Sequence, residues 1–153
     1  MWREQAGTAL LESAQQVLET MCFVAAGEVP RPAEPVPLPI AAQVEFRGYW
    51  KGRCTVEMPE SCARVIAGNF TGALDPDRID AASMIELLCE FTNMVCGRTV
   101  TRLQCPGLVD LAPPHLLWQW PAEELPSGMS SVERWLDTGE GIVHVAFETE
   151  AAP

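Results

Sequence analysis

The chain has 153 residues and a mass of 16.7 kDa, and its 48% hydrophobic and 20% charged residues are typical of one globular domain. Asp and Glu outnumber Lys and Arg by 21 to 10, and the net charge of −11 disfavours nucleic acid and anionic membranes as partners, because both bind clustered positive charge. No apolar run is long enough to span a membrane. Residues 1–5 carry no basic region followed by an apolar stretch, so we expect no signal peptide and a cytoplasmic location.

The six cysteines include no Cys-x-x-Cys pair, and neither His115 nor His144 has a second ligand at the spacing of a zinc site. We therefore predict that this chain binds no metal and no other cofactor. Most of the cysteines lie in apolar stretches, which favours free buried thiols over a disulfide framework.

The first half of the chain contains one periodic segment and one alternating segment. Apolar residues recur at intervals of three and four over residues 3–26 and predict an amphipathic helix that stops at Gly27. Five prolines make residues 29–39 an extended surface connection, which we place inside a single domain of residues 1–153. Alternating apolar residues around two glycines predict a β-hairpin over residues 42–58.

The second half begins with a short helix, predicted over residues 59–72. Asp80 is suited to cap a second long helix, which runs from about residue 81 towards residue 103. A short strand at residues 108–111 and a second hairpin over residues 132–147 follow. Two long helices, a short helix and five to six strands predict an α+β domain.

The second long helix carries four polar or small residues at spacings of four, three and four, which are Glu86, Glu90, Asn93 and Gly97. These positions share the face opposite to the apolar stripe of the helix. A glycine inside a helix costs about 1 kcal/mol relative to Ala, and close approach of another backbone would explain it. An ordinary solvated face that ends in a capping glycine explains the same pattern, so the spacing alone leaves both interpretations open.

The stretch Glu90-Phe-Thr-Asn-Met-Val-Cys-Gly97 resembles the signature helix of the CheC/CheX/FliY chemotaxis phosphatases, and it is most similar to CheX-like domains. Other segments follow in the order of that family, and they are Val17-Leu18-Glu19-Thr20-Met21, Phe46-Arg-Gly with Gly52, Val56-Glu-Met-Pro59, the helix Ala63 to Gly72, and Leu111-Ala-Pro-Pro114. The resemblance covers roughly residues 5–150. It implies two long helices packed on a mostly antiparallel sheet.

The resemblance also implies an activity, the hydrolysis of the aspartyl phosphate of a CheY-type response regulator. Asn93 would orient the attacking water, and Glu90 would contact the active-site lysine of the regulator. The Mg²⁺ ion would belong to the regulator, and a homodimer is expected. We also expect Glu86 to extend the contact and Gly97 to lie at the partner interface. The alternatives are a non-catalytic module of the same fold that binds a regulator or a flagellar switch, and an unrelated α+β domain.

Two further patterns suggest interactions. Leu18-Glu19-Thr-Met-Cys22 and Cys89-Glu90-Phe-Thr-Asn93 look like halves of a degenerate repeat, in which Cys22 replaces the amide and the first copy is inactive. Trp118 and Trp120 bracket Gln119 and suggest packing or an interface.

Overall fold

The computed structural model describes residues 1–73, 75–117 and 128–150. Within these ranges the helices are α1 (Trp2–Met21), α2 (Glu60–Thr71) and α3 (Ala81–Arg102), with a single 3₁₀ turn at Pro76–Arg78. The strands of the same ranges are β1 (Gly27–Val29), β2 (Pro39–Arg47), β3 (Lys51–Pro59), β4 (Asp110–Leu111), β5 (His115–Leu117), β6 (Met129–Asp137) and β7 (Ile142–Glu150). None of these helices is long and apolar enough to span a membrane.

The strands form one antiparallel sheet in the order β1-β6-β7-β3-β2-β4, and β5 also pairs with β2. Its centre consists of two hairpins, β2–β3 and β6–β7, which are joined where β3 pairs with β7. Both hairpins were predicted from alternation. The predicted α+β class, with two long helices on a mostly antiparallel sheet, is confirmed.

The hydrophobic core lies between one face of the sheet and the helices. α1 packs against β6 and β7, α3 packs against β2, β3 and α1, and α2 packs against α3. The phenyl rings of Phe46 on β2 and Phe147 on β7 stack at 5.2 Å across the middle of the sheet. The largest other side chains that are fully buried in this layer are Phe91, Leu10, Leu18, Met58, Ile66 and Leu88. Each helix is therefore held by its apolar stripe against one hairpin or its neighbouring helix.

The first helix ends five residues earlier than its periodicity predicts, at Met21 instead of residue 26. Phe23 turns the chain with a φ of 56°, and the N–H of Val24 donates to the carbonyl of Leu18 at 2.8 Å. Val24 is buried, so its apolar side chain serves the core without continuing the helix. The chain then enters β1, which pairs with β6 at the edge of the sheet.

The two halves of the suggested repeat lie in different surroundings, and the repeat itself stays a prediction. Glu19 lies two residues before the last residue of α1, whereas Glu90 lies in the middle of α3. Cys22 follows the last residue of α1 and is only 1% exposed, and burial raises the pKa of its thiol to about 11. Its surroundings therefore differ from those of Asn93.

The remaining differences between the structure and the prediction from sequence are short strands. β1 and β5 each have three residues, and neither was predicted. Between β1 and β2 the proline-containing segment has no helix or strand, as its composition indicates. The predicted packing role of Trp118 and Trp120 lies outside the described residues.

The cap of α3 gives a testable prediction about stability. The Asp80 Oδ1 atom accepts a hydrogen bond from the Ser83 N–H at 2.7 Å, and this bond lowers the pKa of the Asp80 carboxyl. We expect Asp80→Ala to lower Tm, because an N–H at the start of α3 loses its acceptor, whereas Asp80→Asn keeps an acceptor there.

The pH dependence of that cap follows from the direction of the shift. Because the folded pKa lies below the unfolded one, the contribution of Asp80 is present above about pH 3.9 and is lost as the pH falls through the folded pKa. Thermal unfolding followed by circular dichroism between pH 7 and pH 3 measures this difference. An Asp80→Ala protein with the wild-type Tm at pH 7 would contradict the assignment.

Candidate functional site

The orientation of α3 is fixed by the apolar side of the helix. Its inward positions are buried, and these are Met84, Leu87, Leu88, Phe91, Val95 and Cys96. The two buried threonines on this helix also satisfy their hydroxyl groups locally, since Thr92 donates to the Leu88 carbonyl and Thr99 to the Val95 carbonyl, each at 2.7 Å. Rotation of α3 about its axis would therefore expose the stripe, so the opposite face is held towards solvent.

The four predicted site residues lie on that outward face. Glu86 and Glu90 are exposed, and Asn93 and Gly97 are half-buried. From Glu86 to Gly97 the face is about 16 Å long, at about 1.5 Å per residue. No hydrogen bond or ion pair joins the side chains of Glu86, Glu90 or Asn93 to another residue in the part of the chain that the structure describes. The arrangement brings these residues together, while their roles stay predictions.

Glu90 and Asn93 are one helical turn apart, so a single external group can contact both side chains. The Asn93 carboxamide offers a donor and an acceptor, and neither depends on pH. Glu90 adds an exposed carboxylate beside it. A rigid helix that presents an unpaired amide next to an unpaired carboxylate can hold a water molecule and a cationic group of a partner.

The packing of the described residues does not require a glycine at position 97. Among these residues, a Cβ added there would meet only the Leu111 Cδ2 atom, at 3.8 Å, which is an ordinary van der Waals distance. Gly97 is followed by five further residues of α3, so it does not cap the helix. The close-approach interpretation of this glycine therefore needs a neighbour other than the residues that the structure describes, and the C-cap interpretation is wrong.

A groove of about 280 Å³ between α1 and α3 begins at Gly97, and its other lining residues are Gln16, Arg98, Thr101 and Arg102. The Arg102 guanidinium joins the two helices, because Nη1 bonds the Glu12 carboxylate and Nη2 bonds the Gln16 amide oxygen, each at 2.9 Å. This link could not be predicted from the sequence, because it connects residues that lie 90 and 86 positions apart. Arg98 is half-buried beside the groove and has no side-chain hydrogen bond to another described residue.

Neither His144 nor the cysteines belong to this face. His144 stacks on Trp135 at 4.6 Å, and its Nε2 atom lies 3.0 Å from the Glu133 Oε1 atom, which agrees with its interpretation as a packed residue of a strand. Burial raises the pKa of the Cys89 thiol on α3. Among the residues with described positions, no three His, Cys, Asp or Glu side chains form a group that could hold a metal ion.

Comparison with known families gives one match, which is the model described as Chemotaxis phosphatase CheX, over residues 40–131. This range contains all four residues of the outward face of α3. None of the curated proteins matches the chain significantly.

Solved structures share the fold over nearly the whole chain. The chemotaxis protein CheX from Vibrio vulnificus superposes with a TM-score of 0.76 at 19% identity, covering 97% of this chain and 98% of that one. CheX in a CheX–CheY–BeF₃–Mg²⁺ complex from Borrelia burgdorferi has a TM-score of 0.73 at 19% identity, with coverages of 94% and 96%. FliY from Thermotoga maritima has a TM-score of 0.62 at 14% identity, with coverages of 96% and 86%.

The open space beside Gly97 leads to a prediction about the stability of a variant that carries a side chain there. We expect Gly97→Ala to stabilise the chain by about 0.5–1 kcal/mol, because alanine has the higher helix propensity and its methyl group fits against Leu111. Chemical denaturation at constant pH measures this free energy of unfolding.

Gly7→Ala is the matched control for a helical glycine. A Cβ at Gly7 would collide with the Arg134 guanidinium, which is paired with Glu28 at 3.1 Å, so this substitution should not stabilise the chain. If Gly97→Ala lowers the free energy of unfolding, an internal contact explains the glycine and the close-approach interpretation is wrong.

Proposed function

Because the chain belongs to the chemotaxis phosphatase CheX family, we propose that it hydrolyses the aspartyl phosphate of a CheY-type response regulator with the outward face of α3. The observation that carries the proposal is the pair Glu90 and Asn93, which is held on a rigid helix and has no side-chain partner among the described residues. Family membership supplies the substrate class, and the unpaired side chains supply groups that can act on it.

Asn93 is the proposed catalytic residue. Its carboxamide enters the active site of the regulator and holds a water molecule in line with the bond between phosphorus and the aspartyl oxygen. The water oxygen bonds to phosphorus, the aspartate leaves as a carboxylate, and the protons of the water go to the phosphate and to solvent. Positioning and electrostatic stabilisation supply the acceleration, as they do in other phosphoryl transfers.

Glu90 is the proposed anchoring residue. Its carboxylate pairs with the active-site lysine of the regulator, which docks the helix beside the phosphoryl group. Glu86, one turn earlier and also exposed, extends the acidic contact. Gly97 lets the regulator approach the backbone of α3 on the other side of Asn93, because a side chain there would stand between them.

The Mg²⁺ ion and the phosphate are proposed to belong to the regulator. The CheX complex from Borrelia burgdorferi also contains CheY, BeF₃ and Mg²⁺. The homodimer that the family resemblance implies stays a prediction. A non-catalytic binding module of the same fold is separated from the enzyme by the rate measurements below.

Removal of the amide tests the chemical step. We expect wild-type protein to accelerate the decay of a phosphorylated CheY-type regulator, and we expect Asn93→Ala to lose that acceleration by about 100-fold, because the water is no longer positioned. Binding of the regulator should persist in this variant. Asn69→Ala removes an exposed amide on α2 and should behave as wild type. Full activity of Asn93→Ala would remove this residue from the mechanism.

Removal of the carboxylate tests docking. Glu90→Ala should weaken binding of the regulator roughly tenfold, since an ion pair is lost, and the wild-type affinity should fall as salt is added. Glu140→Ala changes the net charge equally at the exposed β6–β7 turn and should leave the affinity unchanged. Binding by wild type without any acceleration of phosphate release would favour the scaffold over the enzyme.

A further inference from the structure

The end of α1 presents an aromatic side chain to solvent in an unfavourable backbone conformation. Phe23 has a φ of 56° and is 75% exposed. The left-handed region normally holds glycine or asparagine at the end of a helix, and a bulky residue there is an outlier. Its neighbours explain where it points, because Cys22 and Val24 on either side are buried in the core. The ring gains almost no burial in return for this conformation.

The position of Phe23 relative to the candidate site follows from the packing of α1 on α3. The two helices are antiparallel, since Arg102 bonds Glu12 while the earlier α3 residues Gly97 and Arg98 line a groove with the later α1 residue Gln16. Both helices rise by about 1.5 Å per residue. Five residues forward from Gln16 is Met21, and five residues back from Arg98 is Asn93. The end of α1 therefore lies about level with Asn93, and Phe23 follows two residues later.

We propose that Phe23 is an aromatic anchor that docks on the surface of the response regulator next to its phosphorylated aspartate. This inference rests on the proposed function and adds a second contact to it, on α1 instead of α3. Aromatic side chains dominate the binding energy of many interfaces, because a large rigid ring is buried there at a small cost in conformational entropy. A ring that the backbone already holds outwards is ready for such burial before the partner arrives.

The partner that contacts Phe23 is inferred from the position of Phe23 next to the surface that carries Glu90 and Asn93. The end of α1 is level with Asn93 on the neighbouring antiparallel helix, so a regulator that places its lysine on Glu90 and its phosphoryl group on Asn93 is proposed to extend over it. Glu19 is exposed on the last turn of α1, so a carboxylate that suits a lysine of such a partner lies four residues before Phe23. Phe23 is thus a docking residue that determines affinity and touches no reacting atom.

The test compares Phe23→Gly, Phe23→Tyr and wild type with a CheY-type regulator loaded with beryllium fluoride and Mg²⁺. We expect Phe23→Gly to raise the Kd about tenfold, because the anchor is gone. Phe23→Tyr keeps the ring and should bind as wild type. Glycine accepts a φ of 56° without strain, so the Tm of Phe23→Gly should be unchanged or higher, and misfolding would not explain weaker binding.

Leu38→Gly is the matched control. Leu38 is also an apolar residue at positive φ, 42°, and is 80% exposed, but it belongs to the connection that leads into β2. Its replacement relieves the same kind of backbone strain and removes a similar exposed side chain, and it should leave the Kd unchanged. With phosphorylated regulator, Phe23→Gly should raise KM and leave kcat at the wild-type value.

The outcomes separate this proposal from the proposed function. If wild type binds the regulator but does not accelerate phosphate release, hydrolysis is refuted, and the Kd comparison still decides about Phe23. An unchanged Kd for Phe23→Gly overturns the anchor whatever the rates are. A change in the oligomeric mass of Phe23→Gly by sedimentation, with an unchanged Kd, would assign the ring to self-association and would also overturn the proposal.

Discussion

Burial of the apolar stripe of α3 against β2 and β3 is the interaction on which the candidate site depends. It decides which side of a 22-residue helix meets the sheet and therefore which side meets a partner. Phe91 is buried one position away from Glu90, which is exposed, so a rotation of the helix by about 100° would turn the site towards the core. Because close-packed interiors resist such rotation, the amide of Asn93 is positioned by the core and needs no hydrogen-bonded support of its own.

The proposed function divides the catalytic groups between two molecules. In this proposal the chain contributes an amide, a carboxylate and a backbone that can be approached closely, and the regulator contributes the phosphate, the lysine and the metal ion. The net charge of −11 is consistent with that division, because an acidic surface suits a cationic group of a partner and offers no cradle for a phosphate. Side chains without a partner among the described residues are what the proposed intermolecular active site requires.

The helices and strands that could be predicted from the sequence are those determined by residues close together in the chain. Asp80 and a long apolar stripe define α3, and alternation defines the two hairpins, so their positions are confirmed to within a few residues. The end of α1 was missed because Phe23 adopts a positive φ and Val24 is drawn into the core, and both depend on the pairing of β1 with β6. The meaning of Gly97 also needed three dimensions, since only the space around its missing Cβ separates a tight internal contact from an open face.

The most direct test of the central claim is a structure of this chain bound to a CheY-type regulator that carries beryllium fluoride and Mg²⁺ in place of its phosphoryl group. The account predicts that α3 lies across the active site of the regulator, with the Asn93 carboxamide within hydrogen-bonding distance of the beryllium fluoride or of an in-line water. Glu90 should contact the lysine of the regulator. A complex in which another surface of this chain binds the regulator, and Asn93 stays in solvent, would contradict the account.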